Sequence, residues 1–243
     1  MNNKIVTVFG GSGFIGRHLV QRLAHRGAIV RVAVRDPEDA RYLKLMGDVG
    51  AVVPVAADIT DVETTRAAVA GADWVVNLVG RLAGNAAAFQ KLHVDGAANL
   101  ASLASDAGVS NFAHISALGA DAGSTSNYAR SKAEGETAVL AAFPGAVILR
   151  PSVVIGPEDK FFNLFAGLAR FTWFLPVLGG PAIPSLEFFK DGAPLVIDFY
   201  GEGGTRFQPV YVGDVADCIV AALAGGESVE GKTFELGGPQ TYS

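Results

Sequence analysis

Cysteine is almost absent: Cys218 stands alone in 243 residues. One thiol excludes an intramolecular disulfide framework and a thiolate metal cluster, and it fits a reducing compartment. Basic runs are missing too. With a formal net charge of -5 and no Lys/Arg block, nucleic acid is excluded as an expected partner. Charge of either sign is sparse, 18% of residues against 50% hydrophobic, a balance with ample apolar surface to bury and therefore against disorder. The mean hydropathy of +0.33 is high, yet no unbroken apolar run reaches the ~20 residues of a spanning helix. The nearest approach, residues 161–186, carries Arg170 and is interrupted by Pro176, Gly179, Gly180, Pro181 and Pro184, so no transmembrane span is expected. The four histidines (His18, His25, His93, His114) show no ligand spacing with carboxylates or the thiol, and no metal site is expected. The opening MNNKIVTVFGG runs straight into a strand, so no signal peptide is expected.

What is present is alternation. Apolar runs at 4–9, 28–34, 51–55, 73–79, 112–116 and 146–149 read as buried strands. Helical spacing fills the gaps, at 14–25, 38–47, 61–70, 86–107 and 127–142. Strand and helix alternate without a hairpin signal. This predicts an α/β fold, a Rossmann-type doubly wound parallel sheet with right-handed crossovers. Residues 1–150 are the expected dinucleotide-binding domain. Beyond Pro151 the regularity fails, and residues 151–243 are expected to form a smaller substrate or partner lobe interleaved with the sheet.

Directly after the first strand the chain reads FGGSGFIG, with Gly10, Gly13 and Gly16 spaced G-x-x-G-x-x-G. Placed between a strand and a helix, this spacing points to a dinucleotide. The first glycine makes the tight turn, the second admits the pyrophosphate, and the third lets helix and strand pack closely. Backbone N–H groups at the helix start, around Phe14 and Ile15, then face the phosphates. The second strand ends at Arg35, with Asp36 beside it, where NAD-binding chains carry a carboxylate for the ribose 2′-hydroxyl. A guanidinium there pairs with a 2′-phosphate, and Arg17, just past the last glycine, can close on the same group. These residues favour NADP(H) as cofactor; the other reading leaves both arginines as solvated surface residues. Asp58 and Ile59, after the third strand, suit the adenine, although an acid near here can instead cap the next helix, as Asp61 can. The run NLVG (77–80) puts Val79 and Gly80 at the carboxyl end of the fourth strand, where ligands bind in such sheets.

Ser116 ends the fifth strand, and Tyr128 and Lys132 share one face of the following helix as Y-x-x-x-K. A lysine beside a phenol is expected to lower its pKa. Such a tyrosine can exchange a proton with a carbinol or carbonyl while Ser116 binds the same oxygen. Lys132 can equally hold the nicotinamide ribose, a role that requires no turnover.

Together, GGSGFIGR (10–17), the serine of HISALGA, YARSK (128–132), RPSVVIGPED (150–159) and QPVYVGDVAD (208–217) resemble the short-chain dehydrogenase/reductase superfamily in its extended or atypical branch. That resemblance adds Pro151 to the cofactor-binding set. Longer tracts, RDPEDARYLKLMGDVG, HVDGAANLA and TRFQPVYVGDVAD among them, are similar to the NADPH-binding accessory subunits of respiratory complex I and their bacterial relatives. The resemblance implies a structural nucleotide, complex I subunits as partners, and a cytoplasmic chain associated peripherally with the inner membrane. The wider family implies the alternative, a soluble NADP-dependent reductase, dehydrogenase or epimerase acting on a small molecule through Tyr128 and Lys132. One departure is His93, where many extended members carry Asn. The aromatic stretch with Phe161, Phe162, Phe165, Phe171, Trp173 and Phe174 reads either as core and pocket lining or as a protein or membrane contact. The segment 178–205 is longer than the resemblance leads one to expect. The ending LGGPQTYS, with Thr241 or Ser243 placed as a helix cap, is expected to belong to a truncated chain.

Overall fold

A computed structural model describes residues 1–159, 163, 185–187, 196–198 and 206–242. The aromatic stretch and the 178–205 segment, apart from Asn163 and the residues 185–187 and 196–198, lie outside the described residues. Seven parallel strands form the central sheet in the order β11-β6-β5-β4-β1-β2-β3. These are β1 (Ile5–Phe9), β2 (Ile29–Val34), β3 (Val52–Ala56), β4 (Trp74–Asn77), β5 (Asn111–Ile115), β6 (Val147–Pro151) and β11 (Thr233–Leu236). The order reverses between β1 and β4, the switch point at which such sheets bind ligands.

Strand geometry explains the layers. Alternate residues of β1 point to opposite faces, so Val6 and Val8 enter one core and Phe9 the other. The first core is closed by α1 (Phe14–His25) and α6 (Val212–Ala224), through Leu19, Leu23, Ile219 and Leu223. The second is closed by α2 (Val62–Val69), α4 (Gly96–Asp106) and α5 (Asn127–Ala142), through Val69, Leu100, Ala104 and Val139. Both faces of the sheet are covered, which is why its strands read as continuous apolar runs rather than alternating ones.

Three local features refine the sequence reading. The short helix after β2 is a 3₁₀ helix, Pro37–Met46, with Asp36 accepting from the Glu38 N–H at its start and proline in its first turn. The expected single helix over 86–107 is α3 (Ala86–Phe89), then a π-helical segment Gln90–Asp95, then α4. The extra residue per turn pushes this segment against α5, whose Gly135 has no room for a Cβ beside the His93 carbonyl. Finally, the strand–helix alternation resumes late. β10 (Val210–Tyr211) pairs parallel with β7 (Val154–Ile155), α6 packs on α1, and β11 completes the sheet beside β6. Two short strands, β8 (Ser185–Glu187) and β9 (Val196–Asp198), pair antiparallel apart from it.

Candidate functional site

The loop from β1 to α1 has the geometry its glycines require. Gly10 sits at φ +78, a left-handed conformation that side chains disfavour. A Cβ on Gly16 would collide with the Gly10 carbonyl and the Gly11 backbone. The Gly10 N–H donates to the Ala33 carbonyl (3.2 Å) and the Gly13 N–H to the Gly10 carbonyl (3.0 Å), so the loop lies against the end of β2. Gly13 is the N-cap of α1 and brings no side chain over the first turn, which begins with Phe14 and Ile15. This is a cradle shaped for a phosphate group.

At the end of β2, Arg35 and Asp36 are both exposed. The Asp36 carboxylate caps the 3₁₀ helix, accepting from the Glu38 N–H at 2.9 Å. Arg17 leaves the first turn of α1 and lies over the Tyr42 ring, 5.6 Å from its centroid. One of its terminal nitrogens is 3.9 Å from Glu158, and its Nε is buried with no hydrogen-bond partner among the described residues. His18 meets Glu158 at 3.0 Å. The sequence reading did not single out Tyr42 or Glu158, since both meet Arg17 only through tertiary packing.

Asp58 folds back on its own turn and accepts from the Thr60 amide and hydroxyl, both at 2.8 Å. Asp61 caps α2 (2.9 Å from the Thr64 N–H), the role weighed for it from sequence. Ile59 is buried against Gly96. After β4, the Val79 N–H donates to Asn77 Oδ1 (3.0 Å), and Gly80 faces Lys132 and His93.

Ser116, Tyr128 and Lys132 assemble around the ends of β5 and α5. Ser116 follows β5, and its Oγ is buried without a hydrogen-bond partner among the described residues. An orphan hydroxyl in a closed protein interior costs free energy unless a ligand completes it. Lys132 is buried and donates from Nζ to the Ile115 carbonyl (3.1 Å). Burial depresses its pKa to about 8. Tyr128 departs from the sequence expectation: burial raises its phenol rather than Lys132 lowering it. In this structure desolvation acts on both groups.

Behind them lies a histidine arrangement that the residue types alone did not show. His93, in the π-helical segment, accepts the Arg81 N–H at Nε2 (3.1 Å). Its Nδ1 is 2.9 Å from Ser131 Oγ, which donates to the Tyr128 carbonyl. With Nε2 accepting, Nδ1 carries the proton. The ring stacks on Phe89 and meets Tyr128 edge-on. Burial, with Lys132 and Arg81 nearby, drops the His93 pKa to about 4. His114 meets Asn77 Nδ2 at 3.1 Å, and burial lowers its pKa to about 3. The site thus has two neutral imidazoles and one buried amine.

The later motifs brace this edge. Arg150 makes two bonds to the buried Glu136 (2.9 and 2.6 Å), tying β6 to α5. Pro151 closes β6 in register with Leu236. Gly156 lies too close to Phe14 and Val212 to carry a side chain.

A glycine cradle at the switch point of a parallel sheet, with Ser, Tyr and Lys at the neighbouring strand end, defines a dinucleotide-binding protein of Rossmann architecture. The chain matches the NAD dependent epimerase/dehydratase family over residues 6–237, and it belongs to that family. It is 41% identical over 242 residues to NADH dehydrogenase [ubiquinone] 1 alpha subcomplex subunit 9, mitochondrial, of Arabidopsis thaliana, covering 98% of this chain and 55% of that protein. It is 35% identical over 198 residues to ceramide reductase of Caulobacter vibrioides, covering 80% of this chain and 60% of that protein. The chain thus spans little more than half the length of these relatives. Its fold matches that of DesIV, a dTDP-glucose 4,6-dehydratase from Streptomyces venezuelae solved with NAD bound, with a TM-score of 0.77 at 23% identity over 98% of this chain and 77% of that one.

Proposed function

We propose that this chain is the nucleotide-holding part of an accessory subunit of a complex I-like NADH:quinone oxidoreductase, and that its nucleotide is NADP(H). The observation that carries the partner assignment is the 41% identity, across nearly the whole chain, to a protein named as a complex I subunit. The site fits the nucleotide. Its glycine loop has no room for a side chain at Gly16, and among the described residues neither Ser116 Oγ nor Arg17 Nε has a hydrogen-bond partner. Asp36 is occupied as a helix cap and Arg35 is exposed beside it, which supports a 2′-phosphate rather than a free ribose diol. Gly10, Gly13, Phe14, Ile15, Gly16 and Arg17 would take the phosphates, Arg35 the 2′-phosphate, and Asp58 and Ile59 the adenine side. Val79, Gly80, Tyr128, Lys132 and Pro151 would line the nicotinamide end. No helix among the described residues is long and apolar enough to cross a membrane, and the proposed location is peripheral, on the cytoplasmic face of the inner membrane. The test is mass spectrometry of native-gel bands from the membranes of the source cell. Co-migration with complex I subunits is the expected result. Migration alone in the soluble fraction overturns the assignment.

A second reading has its own support, the identity to ceramide reductase and the intact trio of Ser116, Tyr128 and Lys132. Bound at this site, a nicotinamide gives or accepts hydride. Ser116 would hold the reacting oxygen, and Tyr128 would give that oxygen its proton on reduction, or take it back on oxidation, with Lys132 on the same helix face. Tyr128→Phe separates the readings. As an accessory subunit, the variant keeps its nucleotide and its place in the complex; as a reductase, it loses turnover by ~100-fold or more.

A further inference from the structure

We infer that Tyr42 sets the preference for the phosphorylated dinucleotide by holding Arg17 in place; this rests on the NADP(H) reading above. Arg17 projects from the first turn of α1, and few contacts among the described residues fix its guanidinium. Its contact with Glu158 is long, at 3.9 Å, and its Nε has no hydrogen-bond partner among the described residues. What positions the guanidinium is the Tyr42 ring, 5.6 Å away. Tyr42 is in turn tied to the glycine loop, because its hydroxyl donates to the Ser12 carbonyl (3.0 Å).

This one side chain therefore touches both the glycine loop, at Ser12, and the arginine that follows it, Arg17. A guanidinium held over a ring by a cation–π contact leaves its N–H donors to pair with phosphate, which the fork does bidentately. The 3₁₀ helix that carries Tyr42 starts at the Asp36 cap, so the helix that this carboxylate caps also delivers the ring. Tyr42 is a positioning residue: it acts on the ligand through Arg17.

The test is titration of the purified chain with NADPH and, separately, NADH. Tyr42→Leu is expected to weaken NADPH by ~10-fold and NADH by no more than ~3-fold, the loss of one cation–π contact on a partly desolvated arginine. Tyr42→Phe keeps the ring and loses only the bond to Ser12, so it should retain the wild-type NADPH-to-NADH ratio. If Tyr42→Leu weakens both nucleotides equally while Arg17→Ala still lowers the ratio, Tyr42 is only a loop brace and the inference fails. If Arg17→Ala and Arg35→Ala leave the ratio unchanged as well, the NADP(H) reading itself is what has failed.

Discussion

His93 and His114 are histidines that the fold keeps neutral, with pKa values pressed from 6.5 to about 4 and about 3. The sign of the consequence follows from linkage. The unfolded chain binds these protons first as the pH falls through 6.5, so stability drops from there down towards the folded values. Urea midpoints are therefore expected to fall between pH 7 and pH 4, and His93→Asn should flatten part of that slope. A wild-type midpoint that stays level over this range would show that the imidazoles are not buried as described. The tautomer also bears on mechanism. With one nitrogen accepting from Arg81 and the other directed at Ser131, His93 clamps the β4 loop to the start of α5. Tyr128 sits at the end of that clamp.

Among the elements, α5 depends most on close approach. Gly135 lets it touch the π-helical turn at the His93 carbonyl, with no space for a methyl group. Gly135→Ala should cost roughly 2–4 kcal/mol, because backbone rather than a flexible side chain must move, and the same shift should loosen nucleotide binding through Lys132 and Tyr128. Gly16→Ala meets the Gly10 carbonyl in the same way, and isothermal titration is expected to show no binding of either dinucleotide. Normal affinity in that variant would mean that the cradle is not the phosphate site. The π-helical segment was not legible in the sequence. Its apolar spacing fits an ordinary helix, and only the approach of α5 reveals why a residue is accommodated there.

Across the whole molecule, ion pairs join separate elements, and two of these links, at Glu136 and at Asp217, should behave differently. Arg150 and Glu136 tie β6 to α5 with the carboxylate buried. Removing that charge leaves Arg150 only its longer, exposed contact with Glu235 (3.6 Å), and Glu136→Gln should cost about 3 kcal/mol in urea unfolding. Asp217 joins α6 to Arg22 and Arg26 of α1, but its side chain is 49% exposed, so Asp217→Asn should cost less than ~1 kcal/mol. Similar losses at both sites would contradict the burial difference. These contacts also explain how the chain returns to its sheet. After the second small strand pair, α6 is received by α1 through apolar packing, and β11 then finds the free edge of β6.

Local signals were enough for much of this architecture. The helical spacing at 14–25 and 127–142 matches α1 and α5 residue for residue, because an amphipathic stripe depends only on neighbours three and four apart. The glycine loop and the Y-x-x-x-K pair are likewise short-range patterns, and the sequence alone placed them at the carboxyl edge of a parallel sheet. What it could not determine were partnerships between residues 25 or more positions apart. Tyr42 under Arg17, Ser131 beside His93, Glu158 against His18, and β11 at the sheet edge carry no periodic signal. Nor could residue types reveal that burial would raise the Tyr128 phenol and lower Lys132, since desolvation is a property of the packed interior. The sequence determined which backbone would form the glycine loop after β1. Tertiary packing decided which side chains would stand around it, and in which charge state.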